Sequence, residues 1–312
     1  MRIAVLGAGA VGAYFGGRLA QAARDVVFIA RGKTLAALRA DGLYIESILG
    51  DVHLGDIAAT DDVSALRAAD VVLVAVKAHQ LAGVAEAIIP VLPDGALVLP
   101  LQNGIRSYEI LSSALGSDRV LHGFCRILSA AVAPGHVHHV GAEPTILCGE
   151  IDTRTSARID TILKAFHEVP GTTVVIPDDI RRAIWEKFLF VAALGTVGAA
   201  VRFPVGVLRS IPETRQLLET SMREIVAVGR AEGVLLPPDA EAQGMADIDT
   251  LPASATASMQ RDLIAGRPSE LSGQIAPLLE LAEAHGVPTP VNASLYAALL
   301  PSELQTRGEL QG

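Results

Sequence analysis

Short apolar runs without polar alternation recur through the first third of the chain. They occupy residues 3–6, 26–30, 70–77 and 96–101, and stretches rich in Ala and Leu separate some of them. Runs of this length are typical of parallel strands that are buried on both faces. The pattern therefore predicts an α/β domain at the start of the chain.

The pattern changes beyond these runs. Residues 43–54 alternate partially around Leu49-Gly50-Asp51, which predicts a hairpin on the same sheet. Residues 120–150 contain scattered Gly and Pro, which favour several short strands, and 172–176 reads as the last strand of the domain.

The sequence after Pro177 is helical almost throughout. Pro177 breaks the pattern and Asp178 and Asp179 are candidate N-caps, so we place the domain boundary between residues 177 and 178. This gives domains of residues 1–177 and 178–312. Helices are predicted at 180–200, 213–233, 254–265 and 269–286, and Asn292 should cap a last helix through 300. The polar tail from Pro301 is expected to fray.

A glycine motif follows the first apolar run directly. It consists of Gly7, Ala8, Gly9, Ala10, Val11 and Gly12, and a helix is predicted over 13–23. In the strand, G-x-G-x-x-G, helix context, the first glycine permits the tight turn, the second leaves room for a pyrophosphate, and the third allows close helix–strand packing. The helix N-terminus then attracts phosphate. The motif predicts dinucleotide binding, and the alternative is a plain glycine turn.

The end of the second strand bears on the choice of cofactor. An NAD site usually has an acidic residue about 20 residues after the glycines, where it holds the ribose hydroxyls. This chain has Arg31 and Lys33 there and no acid. A guanidinium binds a 2′-phosphate well, so the sequence favours NADP(H). The alternative is a solvated basic loop.

Polar residues also follow two later strands. Lys77 ends the run 70–77, and Asn103 follows the run 96–101. The carboxyl ends of parallel strands face the ligand, so both residues are candidates for cofactor contact. Their alternatives are a solvated lysine and an Asn-Gly turn.

Two ionisable residues stand out in the helical part. Lys187 opens the longest uncharged run, 188–201, and its neighbours at helical spacing are apolar. Loss of solvation lowers the pKa of an amine and favours proton donation near neutral pH. The alternative is a lysine that reaches solvent from a buried helix. Glu270 lies in the predicted first turn of 269–286, where the helix dipole alone favours an acid.

Composition excludes several classes of protein. A net charge of −9 over 312 residues argues against nucleic-acid or anionic-membrane partners. The run 188–201 is shorter than the about 18–20 residues that span a bilayer, so a buried helix is expected. Cys125 and Cys148 lack metal-site spacing, and with no signal peptide they indicate a reducing, cytoplasmic setting. His136, His138 and His139 have no carboxylate or cysteine partner at a recognisable spacing, so a solvated or hydrogen-bonded strand edge is expected there and no metal site.

The chain resembles the ketopantoate reductase (2-dehydropantoate 2-reductase) family over nearly its whole length. The resemblance rests on the glycine motif and on four further segments, Val76-Lys77-Ala78, Gln102-Asn103-Gly104, Trp185-Glu186-Lys187 and 258–270. It implies a Rossmann-type NAD(P)-binding domain followed by an all-helical C-terminal domain, with NADPH-dependent ketone reduction in the cleft between them. It also implies a role in pantothenate biosynthesis.

The resemblance assigns roles to individual residues. Lys187 corresponds to the catalytic lysine that protonates the ketone oxygen, and Glu270 to the acidic residue at the nicotinamide and substrate. Asn103 corresponds to an asparagine near both ligands, and Ser258 to a substrate contact. Arg31 and Lys77 correspond to cofactor contacts.

The chain departs from the family at three positions. Val191, Gly195 and Val205 stand where well-studied members have substrate-binding asparagines. The predicted function is therefore ketopantoate reduction, with a related reductase of another 2-keto acid or a non-catalytic NADP(H) sensor as alternatives. The sequence leaves the oligomeric state open, a homodimer included.

Overall fold

The computed structural model describes residues 1–310, and these form two compact units. The first unit contains Met1–Gln102 and Arg106–Ile180. The second contains Asn103–Ile105 and the chain from Arg181 onward.

The first unit combines strands and helices. Its strands are β1 (Arg2–Leu6), β2 (Asp25–Ile29), β3 (Leu43–Ser47), β4 (Val52–Leu54), β5 (Ala58–Thr60), β6 (Val71–Val74), β7 (Leu97–Pro100), β8 (His122–Ala133), β9 (His136–Gly149) and β10 (Thr173–Val175). Its helices are α1 (Ala10–Gln21), α2 (Gly32–Ala40), α3 (Leu81–Ile88), α4 (Ser107–Leu115) and α5 (Ala157–Phe166), with 3-10 turns at Val63–Ala68 and Ala78–Gln80.

The first sheet is parallel, with strand order β5-β2-β1-β6-β7. Both of its faces are covered by apolar residues. In β1, Ile3 and Val5 pack into one core cluster with Phe15 of α1, while Ala4 and Leu6 pack into another that includes α3. Two buried faces explain why the apolar runs show no polar alternation. The predicted α/β class is confirmed.

A second, mixed sheet completes this unit, with strand order β10-β9-β3-β4 and β8 paired to β9. The hairpin predicted at 43–54 forms from β3 and β4, but it lies in this sheet and not in the parallel one. The prediction of short strands over 120–150 is wrong. β8 and β9 span 12 and 14 residues, because Pro134-Gly135 alone makes the turn and register shifts along the pair absorb the irregularities.

The second unit is helical, as predicted. Its helices are α6 (Ile180–Val201), α7 (Val205–Ser210), α8 (Pro212–Ala231), α9 (Ala240–Thr250), α10 (Ser258–Ile264), α11 (Leu271–His285) and α12 (Pro290–Arg307), of which α6 starts at the last residue of the first unit. By length and composition α6 could cross a membrane, but 61% of its most apolar window is buried inside the protein. It is a core helix.

Several helix boundaries differ from those predicted. α1 begins at Ala10 instead of residue 13, because Gly9 is its N-cap. α10 begins four residues later than predicted, at Ser258, and α11 begins at Leu271, so Glu270 is an N-cap residue and not part of the first turn. Thr289, not Asn292, occupies the N-cap position of α12, and its side chain makes no capping hydrogen bond.

The expectation of a frayed tail from Pro301 is also wrong. α12 continues through Pro301 to Arg307, and Glu303 is fully buried within it. Glu303 accepts hydrogen bonds from the backbone N–H and the hydroxyl of Ser272, and these bonds tie this part of the helix to α11.

Glycine substitutions at the start of α1 provide a test of this fold. A Cβ on Gly12 would lie 1.9 Å from the carbonyl oxygen of Gly7, whereas a Cβ on Gly9 would meet nothing within 4 Å. We expect Gly12→Ala to lower the free energy of unfolding by about 1–3 kcal/mol or more, through overpacking against backbone. Gly9→Ala should change it by less than about 0.5 kcal/mol. Urea unfolding measures both, and equal losses would contradict the close approach at Gly12.

Candidate active site

The glycine motif forms the turn between β1 and α1. Gly7 has φ +95°, and its Cα faces Val76 so closely that a Cβ would lie 3.0 Å from the Val76 backbone nitrogen. Ala10 and Val11 are the first residues of α1, where backbone N–H groups have no partner within the helix. Open space beside Gly9 leaves these donors accessible. The turn therefore fits the pyrophosphate of a dinucleotide.

The other residues predicted to contact the cofactor in this unit follow neighbouring strands. Arg31 is exposed and is the N-cap of α2, two residues after β2. Lys77 is half-buried and precedes the 3-10 turn after β6. Because β2, β1 and β6 are adjacent and parallel, their carboxyl ends share one edge of the sheet with Gly7.

Gln102 also lies at this edge, and the sequence predicted no role for it beyond its place in the segment Gln102-Asn103-Gly104. Its side chain is 5% exposed, and Nε2 donates to the carbonyl oxygens of Val74 and Val76 at 2.8 and 3.0 Å. These bonds fix the backbone that leads into Lys77. The buried Oε1 of Gln102 has no hydrogen-bond partner within residues 1–310. An acceptor of this kind fits an N–H or O–H group of a ligand.

The second unit brings together Asn103 and Glu270, which were predicted separately. Asn103 Nδ2 donates to Oε2 of Glu270 at 3.2 Å. Gln274 Nε2 donates to the same oxygen, also at 3.2 Å. Gln274 is 2% exposed and lies one helical turn after Glu270, so the i, i+4 spacing was a signal in the sequence that could have identified it.

This arrangement leaves half of the Glu270 carboxylate available. In the described part of the chain, both amide donors bind Oε2, and no hydrogen bond reaches Oε1. The carboxylate is only partly buried. It can therefore accept a hydrogen bond from a ligand while the two amides hold its orientation.

Lys187 lies on α6, among large apolar side chains of the second core. Its own side chain is half-buried, and Trp185 and Phe188 beside it are 3% and 1% exposed. Val191, one turn further along the helix, is also half-buried. On the face of α6 that bears Lys187, the neighbours one turn away, Ile184 and Val191, are both apolar and half-buried.

The other two positions that depart from the family pattern are filled by packing. A Cβ on Gly195 would lie 2.4 Å from the terminal methyl of Met259, so Met259 occupies the space that a side chain at 195 would need. Val205 is fully buried and its backbone N–H donates to the carbonyl oxygen of Ala255 at 3.0 Å. Ser258, the residue before Met259, is exposed at the start of α10.

The cysteines and histidines singled out in the sequence take structural positions in the first unit. Burial, followed by the charge of Glu150, raises the pKa of the Cys148 thiol to about 12, which keeps it protonated at neutral pH. His139 is fully buried and its Nδ1 lies 2.8 Å from Oγ of Ser47. Within residues 1–310, no group of three or more His, Cys, Asp or Glu side chains could hold a metal ion.

Comparison with known proteins agrees with this geometry. Residues 3–153 match the family profile described as ketopantoate reductase PanE/ApbA, and residues 179–303 match the profile of its C-terminal domain. The uncharacterized oxidoreductase YkpB of Bacillus subtilis is 32% identical over 96% of this chain and 98% of its own length. The 2-dehydropantoate 2-reductase of Halobacterium salinarum is 30% identical over 95% of this chain and 96% of its own.

A solved structure is similar over the same length. The PanE/ApbA family ketopantoate reductase from Ralstonia eutropha JMP134 has a TM-score of 0.87 and 33% sequence identity, and the match covers 98% of this chain and 100% of that one. The two profile matches together cover most of this chain and both of its units. The chain therefore belongs to the ketopantoate reductase family of NAD(P)-dependent oxidoreductases, which act on a ketone or CH–OH group.

Proposed function

We propose that the protein reduces 2-dehydropantoate to pantoate with NADPH, and that Lys187 is the proton donor. The observation that carries this proposal is the Glu270 carboxylate, held by the amides of Asn103 and Gln274 in the unit that also bears Lys187. The family retains an acid and a lysine for ketone reduction, and this chain has both.

Reduction of a ketone is favoured by a positively charged group beside the ketone oxygen. The nicotinamide supplies a hydride to C2 when it is bound, and negative charge develops on the oxygen as the new C–H bond forms. The Lys187 ammonium stabilises that charge and transfers its proton to the oxygen, which completes the hydroxyl. Solvent then restores the proton to Lys187.

Glu270, Asn103 and Ser258 position the reactants. We assign Oε1 of Glu270 to a hydroxyl or amide donor of the bound ligands, because Oε2 is already engaged. The carboxamide of Asn103 has a carbonyl oxygen that can accept a ligand hydrogen bond while its nitrogen donates to Glu270. The exposed hydroxyl of Ser258 is assigned to the substrate.

The cofactor assignment rests on charge at the end of β2. Arg31 and Lys33 are both exposed, and no acidic side chain replaces them at the N-terminus of α2. A 2′-phosphate gains a bidentate guanidinium contact here, whereas the ribose hydroxyls of NADH gain no carboxylate. With two buried cysteines in the first unit, we also assign the enzyme to the cytoplasm.

One observation favours a second candidate, a related reductase for a less polar 2-keto acid. Met259 fills the space at Gly195, Val205 is buried, and Val191 presents only methyl groups. A site that lacks asparagines at these three positions discriminates only weakly between a substrate that carries a hydroxyl and one that does not. Ketopantoate and 2-ketoisovalerate differ by one hydroxymethyl group, so their relative rates distinguish the two candidates.

Replacing the lysine tests the proposed mechanism. We expect Lys187→Ala to lower kcat by about 100- to 10,000-fold, the usual contribution of a general acid, with NADPH affinity unchanged within about twofold. Steady-state NADPH oxidation and fluorescence titration measure the two quantities. Lys164→Ala, which removes an exposed lysine from α5, is the control and should keep wild-type rates. Equal losses of turnover and cofactor affinity would identify Lys187 as structural.

Replacing the arginine tests the cofactor assignment. Arg31→Ala should weaken NADPH binding by about 10- to 100-fold and leave NADH binding nearly unchanged, because only NADPH loses a charge-assisted contact. Arg39→Ala, near the other end of the same helix, controls for net charge. An unchanged ratio of the two dissociation constants would refute the assignment.

Restoring one family amide tests the substrate. We expect Val191→Asn to raise the kcat/KM ratio of ketopantoate to 2-ketoisovalerate by about tenfold, through a new hydrogen bond to the hydroxyl. Val191→Leu keeps the site apolar and should leave the ratio unchanged. If Val191→Asn also leaves it unchanged, Val191 does not face the substrate hydroxyl.

A further inference from the structure

Glu303 is a fully buried carboxylate near the end of the chain. It lies on α12 beyond Pro301, at 0% exposure, and glutamate is rarely buried completely without partners. Its Oε2 accepts hydrogen bonds from the backbone N–H and the hydroxyl of Ser272, both at 2.9 Å. Its Oε1 accepts one from Arg307, one turn further along α12. The charge is therefore paired and both oxygens are used.

These bonds place Glu303 at the N-terminus of α11, the helix that Glu270 precedes. The first N–H groups of a helix lack intrahelical partners and need external acceptors. Here the N–H of Leu271 donates to Oγ of Ser269 at 3.2 Å, and the N–H of Ser272 donates to Glu303. The first bond of the helix proper runs from the Gln274 N–H to the Glu270 carbonyl oxygen.

Glu270 itself does not cap this helix with its side chain. A side-chain oxygen at the N-cap, most often that of Ser, Thr, Asp or Asn, accepts a hydrogen bond from the backbone N–H of the second or third helical residue. The Glu270 side chain makes no such bond, and its Oε2 accepts from Asn103 and Gln274 instead. Glu303 and Ser269 fill the capping role, which leaves the Glu270 carboxylate directed at the two amides.

We infer that Glu303, held by Arg307, is a positioning residue for Glu270. From the neighbouring helix α12 it accepts the N–H of Ser272 at the N-terminus of α11 and so keeps the Glu270 carboxylate from turning back to cap its own helix. This inference rests on the proposed function for the catalytic importance of Glu270. The position of the carboxylate can be observed without it.

The same unit provides a matched control. Glu224 on α8 is 7% exposed and caps the N-terminus of α12, where its oxygens accept from the N–H groups of Val291 and Asn292, both at 2.9 Å. Glu224 and Glu303 are thus two buried carboxylates with the same structural task at different helices. Only Glu303 acts on the helix next to Glu270.

The test compares Glu303→Leu with Glu224→Leu, because leucine has a similar size and no hydrogen-bond acceptor. Both variants should lose stability in urea unfolding. Only Glu303→Leu should lower kcat for ketopantoate reduction beyond the unfolded fraction, by about 10- to 100-fold, the order that misplacing a catalytic group costs. In a Glu270→Gln background, replacing Glu303 should cause no further loss of kcat, because Glu303 affects catalysis only through the position of Glu270.

A crystal structure of Glu303→Leu provides a readout that does not depend on activity. The Glu270 carboxylate should leave Asn103 and accept the Ser272 N–H. If it stays with Asn103 and Gln274, or if the kcat effects of the two substitutions are additive, the inference is overturned. Absence of turnover in the wild-type protein would instead contradict the proposed function, and the structure would still decide the inference.

Discussion

Two side-chain amides converge on one oxygen of Glu270 and fix the orientation of its carboxylate at the start of α11. Asn103 comes from a three-residue segment that belongs to this unit although the flanking chain does not. Gln274 comes from the first turn of α11, with a buried carbonyl oxygen that has no partner in residues 1–310. A carboxylate oriented by two donors has one oxygen committed and one available, which is what a ligand-binding acid needs.

Close packing around α6 accounts for the glycine at position 195. Gly195 lets the methyl of Met259 approach the helix axis, and a Cβ on Gly198 would likewise lie 2.6 Å from Oε1 of the buried Gln260. Gln260 in turn donates to the carbonyl oxygen of Phe203 at 2.9 Å. The start of α10, which carries Ser258, thus packs against two glycines of α6. A larger polar residue at 195 would displace the start of α10.

The parts of this protein that follow from local sequence were predictable. The run at 3–6 indicates a strand covered on both faces. The glycine motif was predictable because its contacts are local, with Gly12 lying against Gly7. Lys187 and Glu270 were identified through the family resemblance, and their roles stay predictions. The α/β and all-helical composition of the two units also followed from the pattern.

The remaining features depend on contacts between distant residues, which local patterns do not encode. Tyr44 pairs with His136 in the second sheet, and nothing near residue 44 specifies that partner. Glu303 follows a proline in a polar segment, which is typical of a solvated tail, yet its partner Ser272 lies 31 residues earlier. The contact of Gly195 with Met259 is of the same kind.

The most direct measurement is the transfer of deuterium from NADPH labelled at C4 of the nicotinamide. Wild-type protein would be incubated with each of the two C4-deuterated epimers and with ketopantoate, and the product analysed by NMR and mass spectrometry. We expect pantoate with one deuterium at C2, from one epimer only. Deuterium that stays in the cofactor with both epimers, with ketopantoate unconsumed, would contradict ketopantoate reduction by this protein.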